Sequence, residues 1–172
     1  MGSKRIGLAR TQALLENLKR DLALGAGTQI SGVMKKVKSV STTATLTEAD
    51  SGKIIDLSGA NYVVKLPKDP TAGCEYTFIN TAALGAGGSI NIDAKDGEEF
   101  FKGTVFDLEG TVDDANVSFN GSSHDQLKFA ASTAALENMV HVMFIGANTW
   151  LIYHSWSLDA SDISAGTASS NA

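Results

Sequence analysis

The sequence predicts a mainly β protein: an antiparallel β-sandwich, jelly-roll-like body carrying an amphipathic α-helical arm at its N-terminus. Three observations carry that expectation. Seventeen glycines against two prolines punctuate the chain, and Gly reaches the left-handed backbone region without a Cβ clash, so tight turns are plentiful. Between them stand short apolar runs of period two, the mark of strands. Only one segment, residues 6–24, has the period of a helix. No repeat of fixed length is visible, which argues against a propeller or a β-helix.

Taken in order, the first element is that helix, IGLARTQALLENLKRDLAL. Leu8, Thr11, Leu15, Leu18 and Leu22 fall on one stripe, because residues three and four apart share a helical face. Leu14 and Leu24 widen it, Glu16 and Arg20 form an i,i+4 pair, and Gly25 and Gly27 stop it. Two heptads are marginal alone, so the stripe needs cover from the body, a symmetry mate or another protein. Residues 25–39 read as a linker with a basic end. The body is expected over residues 40–159, after an arm and linker of residues 1–39. A polar, small-residue tail follows over residues 160–172, ASDISAGTASSNA, a composition that reads as disordered.

Within the body, Ile55 and Leu57, then Val64 and Leu66, then Tyr76 and Phe78 alternate with polar or opposite-face residues. Further short strands are expected around Ile90–Ile92, Phe100–Leu108, Val117–Phe119 and Leu127–Phe129. Met139, His141, Met143 and Ile145 alternate with Val140, Val142 and Phe144, as in a strand buried on both faces. Gly146-Ala147-Asn148 then turns the chain into Trp150, Ile152, His154 and Trp156, a closing hairpin. Nine to eleven strands result.

Charge divides the chain. Residues 1–40 hold eight Lys/Arg against two acids, a balance of +6, and residues 41–172 hold six against seventeen, a balance of −11. Such asymmetry suggests a docking part joined to a solvent-facing part. Nucleic acid is a poor partner for the arm: no aromatic precedes Tyr62 to stack on bases, and the acidic body repels phosphate. A protein groove suits a basic, leucine-striped helix better. The docking candidates are Leu8, Arg10, Leu15, Leu18, Arg20 and Leu22, with Lys35 and Lys36 of the linker. No apolar run approaches the roughly 18–20 residues of a membrane span, and no apolar run marks a signal peptide. One cysteine, Cys74, excludes an internal disulfide and fits assembly in a reducing cytosol.

No catalytic or cofactor signature stands out. Leu84 to Ser89 is glycine-rich but lacks the Lys-Ser/Thr of a phosphate loop. His124, His141 and His154 lie in separate segments without metal-ligand spacing. Asp93, Asp96, Glu98 and Glu99 crowd one turn that does not match a calcium loop. Ser123-His124-Asp125 are consecutive, and a triad needs side chains converging from separated positions. His124 is expected to be solvated in its turn. A non-enzymatic protein without cofactors is the expectation.

Two stretches carry a family resemblance. KRIGLARTQALLENLKRDLAL resembles the start of small structural proteins of tailed bacteriophages, notably those of marine and cyanobacterial hosts. TLTEADSGKIIDLSGANYVVKLPKDPTAGCEYTFINT, and later Gly-Ala-Asn-Thr-Trp-Leu-Ile, resemble the β-domains of phage capsid-decoration and fibre proteins. The resemblance implies a virion location after assembly in the host cytoplasm, no enzymatic activity and a symmetric homo-oligomer, often a trimer. A decoration (cement) protein would dock through its arm on the major capsid protein or another virion protein. Its copies would meet through apolar strand faces, with His141, Met143, Trp150 and Trp156 as candidate interface residues. Neither nucleic acid nor membrane is expected as a partner. A tail or head-fibre adaptor is the second structural possibility, and a carbohydrate-binding β-module the alternative of another class.

Overall fold

The computed structural model describes residues 11–13, 35–85, 87–107, 116–130, 138–157 and 162–167. Residues 11–13 are helical and exposed; the rest of the expected arm helix, including Leu8, Arg10, Leu15, Leu18, Arg20 and Leu22, lies outside the described residues. The chain divides into two units, residues 1–34 and 35–172. Among the described residues no helix is long and apolar enough to cross a membrane.

The second unit is mainly β. Its twelve described strands are β1 (Val37–Val40), β2 (Ala44–Thr45), β3 (Ile54–Leu57), β4 (Tyr62–Lys65), β5 (Glu75–Asn80), β6 (Ser89–Asp93), β7 (Phe100–Asp107), β8 (Val117–Asn120), β9 (Gln126–Ala130), β10 (Met139–Phe144), β11 (Thr149–Ser157) and β12 (Ile163–Gly166). They form a large sheet, ordered β1-β3-β5-β10-β11-β7-β8, and a small one, ordered β12-β9-β6-β4-β2. Both contribute to one contiguous cluster of buried side chains. Ile55, Tyr76, Phe78, Phe101, Val140, Val142 and Trp150 come from the large sheet; Val64, Ile90, Ile92, Leu127 and Phe129 come from the small one. Period-two alternation explains this: each strand sends every second residue into that cluster.

The sheets are mixed, not antiparallel as expected. Of the ten strand pairings, five are parallel: β1 with β3, β3 with β5, β2 with β4, β4 with β6, and β7 with β11. The cause lies in the connectivity. From β1 to β6 the chain changes sheet at every strand, so it returns to each sheet running in its former direction. The crossover that parallel neighbours need is thus a strand of the other sheet. The turns of this winding have unequal length. Val37 pairs with Ile54, which pairs with Thr77, while Ala44 pairs with Val64, which pairs with Ile92. That inequality hides the winding from a search for repeats.

Two further expectations change. Residues 163–166 of the expected polar tail form β12, antiparallel to β9, because Ile163 enters the core. Buried Asp162 just ahead of it accepts a hydrogen bond from Asn138 Nδ2 at 3.0 Å. β10 is buried on one face only: Val140, Val142 and Phe144 point inward, and Met139, His141 and Met143 are half-buried on the other side.

Candidate functional site

The outward face of the large sheet collects the side chains that the core does not use. Register fixes its rows. Met139 of β10 stands opposite Ile79 of β5 and Trp156 of β11, and Trp156 stands opposite Phe106 of β7. Ile79–Met139–Trp156–Phe106 is therefore an apolar row across four strands. Phe106 is 56% exposed and Trp156 38%. Cross-strand neighbours sit about 5 Å apart, so the row runs on the order of 15 Å.

Beside it lies a polar row, in which Thr77, His141 and His154 are registered across β5, β10 and β11. A β-bulge builds this row. His141 pairs with His154 but Val142 pairs with Ile152, which leaves Tyr153 as the extra residue. A bulge re-aims side chains: Tyr153 and His154 are both exposed, and the inward positions of β11 shift from Trp150 and Ile152 to Ser155 and Ser157. Gly103 of β7 makes room for the distortion. Its φ is +140°, and a Cβ there would stand 2.4 Å from the Ile152 carbonyl oxygen.

Four polar groups meet at the bulge. Tyr153 Oη donates to Glu75 Oε2 at 3.1 Å and lies 2.9 Å from His141 Nε2. The Glu75 carboxylate is itself 3.4 Å from His141 Nε2. The phenol has one hydrogen and spends it on the carboxylate, so Nε2 carries the hydrogen of that contact. The rings pack: His141 and Tyr153 centroids are 4.3 Å apart, Tyr153 and His154 5.2 Å, His141 and His154 6.4 Å. Burial lowers the affinity of His141 for a second proton on its ring, against the pull of Glu75, with Lys35 and His154 adding to the lowering. Burial, with Glu75 at the hydroxyl, pushes Tyr153 up to about 12.

Of the expected interface residues, His141, Met143 and Trp156 lie on this face. Trp150 does not: it is fully buried, with rings of Phe144 and Tyr76 at 5.2 and 6.0 Å. Its Nε1 donates to Glu99 Oε2 at 2.8 Å. Uninterrupted alternation would place positions 150 and 156 together; the bulge puts them on opposite faces. Lys35 and Lys36 are exposed just ahead of β1. Sequence reasoning missed Glu75, Ile79, Phe106 and Tyr153. The serines at 155 and 157, small polar residues among aromatics, were the visible sign of a phase change.

The remaining chemistry-bearing residues have structural work. Glu99 is buried and also accepts from the Asp69 amide at 2.6 Å. Glu98 pairs with Lys95 at 2.6 Å, and Asp93 accepts from Gln126 Nε2 at 2.9 Å. Asp125 accepts from the Gly97 amide at 2.8 Å. His124 is half-buried, not solvated as expected, with its ring edge-on to Phe119 at 5.9 Å. Cys74 is buried and donates to Tyr76 Oη at 3.3 Å, which donates to the Thr47 carbonyl at 2.8 Å. Among the described residues no group of three or more His, Cys, Asp or Glu could hold a metal ion. No protein-family model matches the chain, and no curated protein matches it in sequence.

Proposed function

We propose that this is a non-enzymatic virion structural protein, a capsid decoration protein whose basic, leucine-striped arm docks on the major capsid protein and whose body, a two-layer β-sandwich, binds further copies of itself. The single observation that carries the reading is the apolar row Ile79–Met139–Trp156–Phe106 on an outward sheet face. An apolar row contiguous across four strands, with Phe106 and Trp156 exposed and Ile79 and Met139 half-buried, marks a contact surface. A trimer is the favoured assembly, because the resemblance to phage decoration proteins implies one. The family resemblance and the charge division support the arm's role. Docking many copies would stabilise a shell by mass action on its folded, assembled state.

The test takes two variants. Phe106→Glu, at an exposed position, should convert the oligomer to monomer in sedimentation without lowering the melting temperature. Removal of residues 1–24 should abolish binding to phage particles. Binding retained by the truncated chain, or a monomeric parent, overturns the reading. A carbohydrate-binding module is the second reading, favoured by the exposed rings of Tyr153, Trp156 and Phe106 on one face. A glycan screen in which Trp156→Ala loses a hit would support it.

A further inference from the structure

We propose that the opposed imidazoles His141 and His154 form an acid-sensitive latch on the outward face of the large sheet. A single proton on the pair is tolerated; a proton on each ring sets two cations face to face and parts β10 from β11 at the bulge. The consequence for assembly rests on reading this face as the contact between copies. The latch itself does not.

The geometry supplies each step. His141 and His154 are directly opposite across an antiparallel pair, with ring centroids 6.4 Å apart and planes 27° from parallel. Like charges directly opposite on neighbouring strands are destabilising. One imidazolium is tolerated at His141, because Glu75 Oε2 lies 3.4 Å away and Tyr153 Oη 2.9 Å away. That carboxylate neutralises a single charge. Among the described residues, the groups around the pair offer no second anion: β5 brings Glu75 and the neutral Thr77, β11 brings Tyr153, and Lys35 ahead of β1 adds a like charge. Lys102 of β7 is registered with Leu151, not with either imidazole. The bulge is also where the sheet resists least. The ladder between β10 and β11 slips after His141, and that between β11 and β7 slips between Ile152 and Trp156. A bulge leaves one residue unpaired and the ladder locally disrupted, so separation there breaks fewer bonds than elsewhere in the sheet.

Rings that repel each other across the pair take up their protons in two linked steps rather than independently. The experiment follows the imidazole resonances of the full chain by NMR from pH 8 to pH 4. Amide exchange over residues 139–143 and 151–156 is followed in the same buffers. Acid should speed exchange in those two segments at least about tenfold relative to β6 and β9, once both rings carry a proton. His154→Gln removes one of the two cations, keeps a polar side chain and should retain protection at the same pH. Two imidazoles that titrate independently, or equal exchange in the variant and the parent, overturn the proposal. Sedimentation at each pH separates the two readings. Local opening with loss of the oligomer supports both. Local opening with an unchanged mass supports the latch and counts against this face as the contact between copies.

Discussion

Trp150→Phe isolates a buried polar pair. The indole N–H of Trp150 donates to Glu99 Oε2 at 2.8 Å, and both residues are fully buried. Phenylalanine removes the donor and leaves the oxygen without it. An orphaned buried acceptor costs about 1–3 kcal/mol. The lost pyrrole leaves a void on the order of 40 Å³, which at about 24 cal/mol per Å³ adds about 1 kcal/mol. The expected loss is therefore about 3 kcal/mol, or about 9 °C in Tm at about 3 °C per kcal/mol for a chain of this size. Thermal and urea unfolding followed by circular dichroism measures it. Glu99→Leu orphans two donors, the indole and the Asp69 amide; in the double variant only the amide is left. The double variant should thus cost less than the two single variants together by about 1–2 kcal/mol. Additive losses, or a Tm that falls by less than about 2 °C in Trp150→Phe, would refute the hydrogen-bond reasoning.

Two further outcomes follow from the same structure. Gly103→Ala should destabilise the body by about 3 kcal/mol or more, since a Cβ there would meet the Ile152 carbonyl oxygen at 2.4 Å with φ at +140°. Gly52→Ala, at φ +78° with open space around it, should cost only about 1 kcal/mol, and urea midpoints compare the two. Asp50 gives an acid limb. Burial raises its carboxyl, but Lys38 and Lys53, each at 2.7 Å, and Thr47 outweigh that and hold it well below the usual carboxylate range. A group lowered on folding contributes stability fully above its unfolded value near 4 and loses it as pH falls through and below that value. Melting curves from pH 5 to pH 2 should therefore fall less steeply for Asp50→Asn than for the parent, and parallel curves would remove Asp50 as the cause.

Much of the body was legible because period two survives burial: the alternations at Ile55–Leu57, Val64–Leu66 and Tyr76–Phe78 appear as inward residues of β3, of β4 with the position just after it, and of β5. What sequence could not give was which strands pair. Alternation says which way a side chain points and nothing about a strand's neighbour, so the parallel winding of β1 to β6 read as ordinary antiparallel strands. The candidate site was half legible. His141 and Trp156 could be named from the strand pattern. Tyr153 and Trp150 were exchanged in sense, because a one-residue bulge reverses face assignment and leaves only the serines at 155 and 157 as its trace. Isolated Ile163 carried no periodic signal, and only its burial against β9 makes a strand of it.

The order of the large sheet also dictates when it can close during synthesis. Its central pair, β10 and β11, is made after every other strand of that sheet, yet it joins β1-β3-β5 on one side to β7-β8 on the other. Until residues 139–157 leave the ribosome, β5 and β7 present open edges that their proper partners cannot cover. Such edges recruit strands from other chains. A product ending before Met139 is thus expected to aggregate, whereas a chain shortened after Gly166 keeps every described strand. For this protein, closure of the large sheet waits on the last two of its strands.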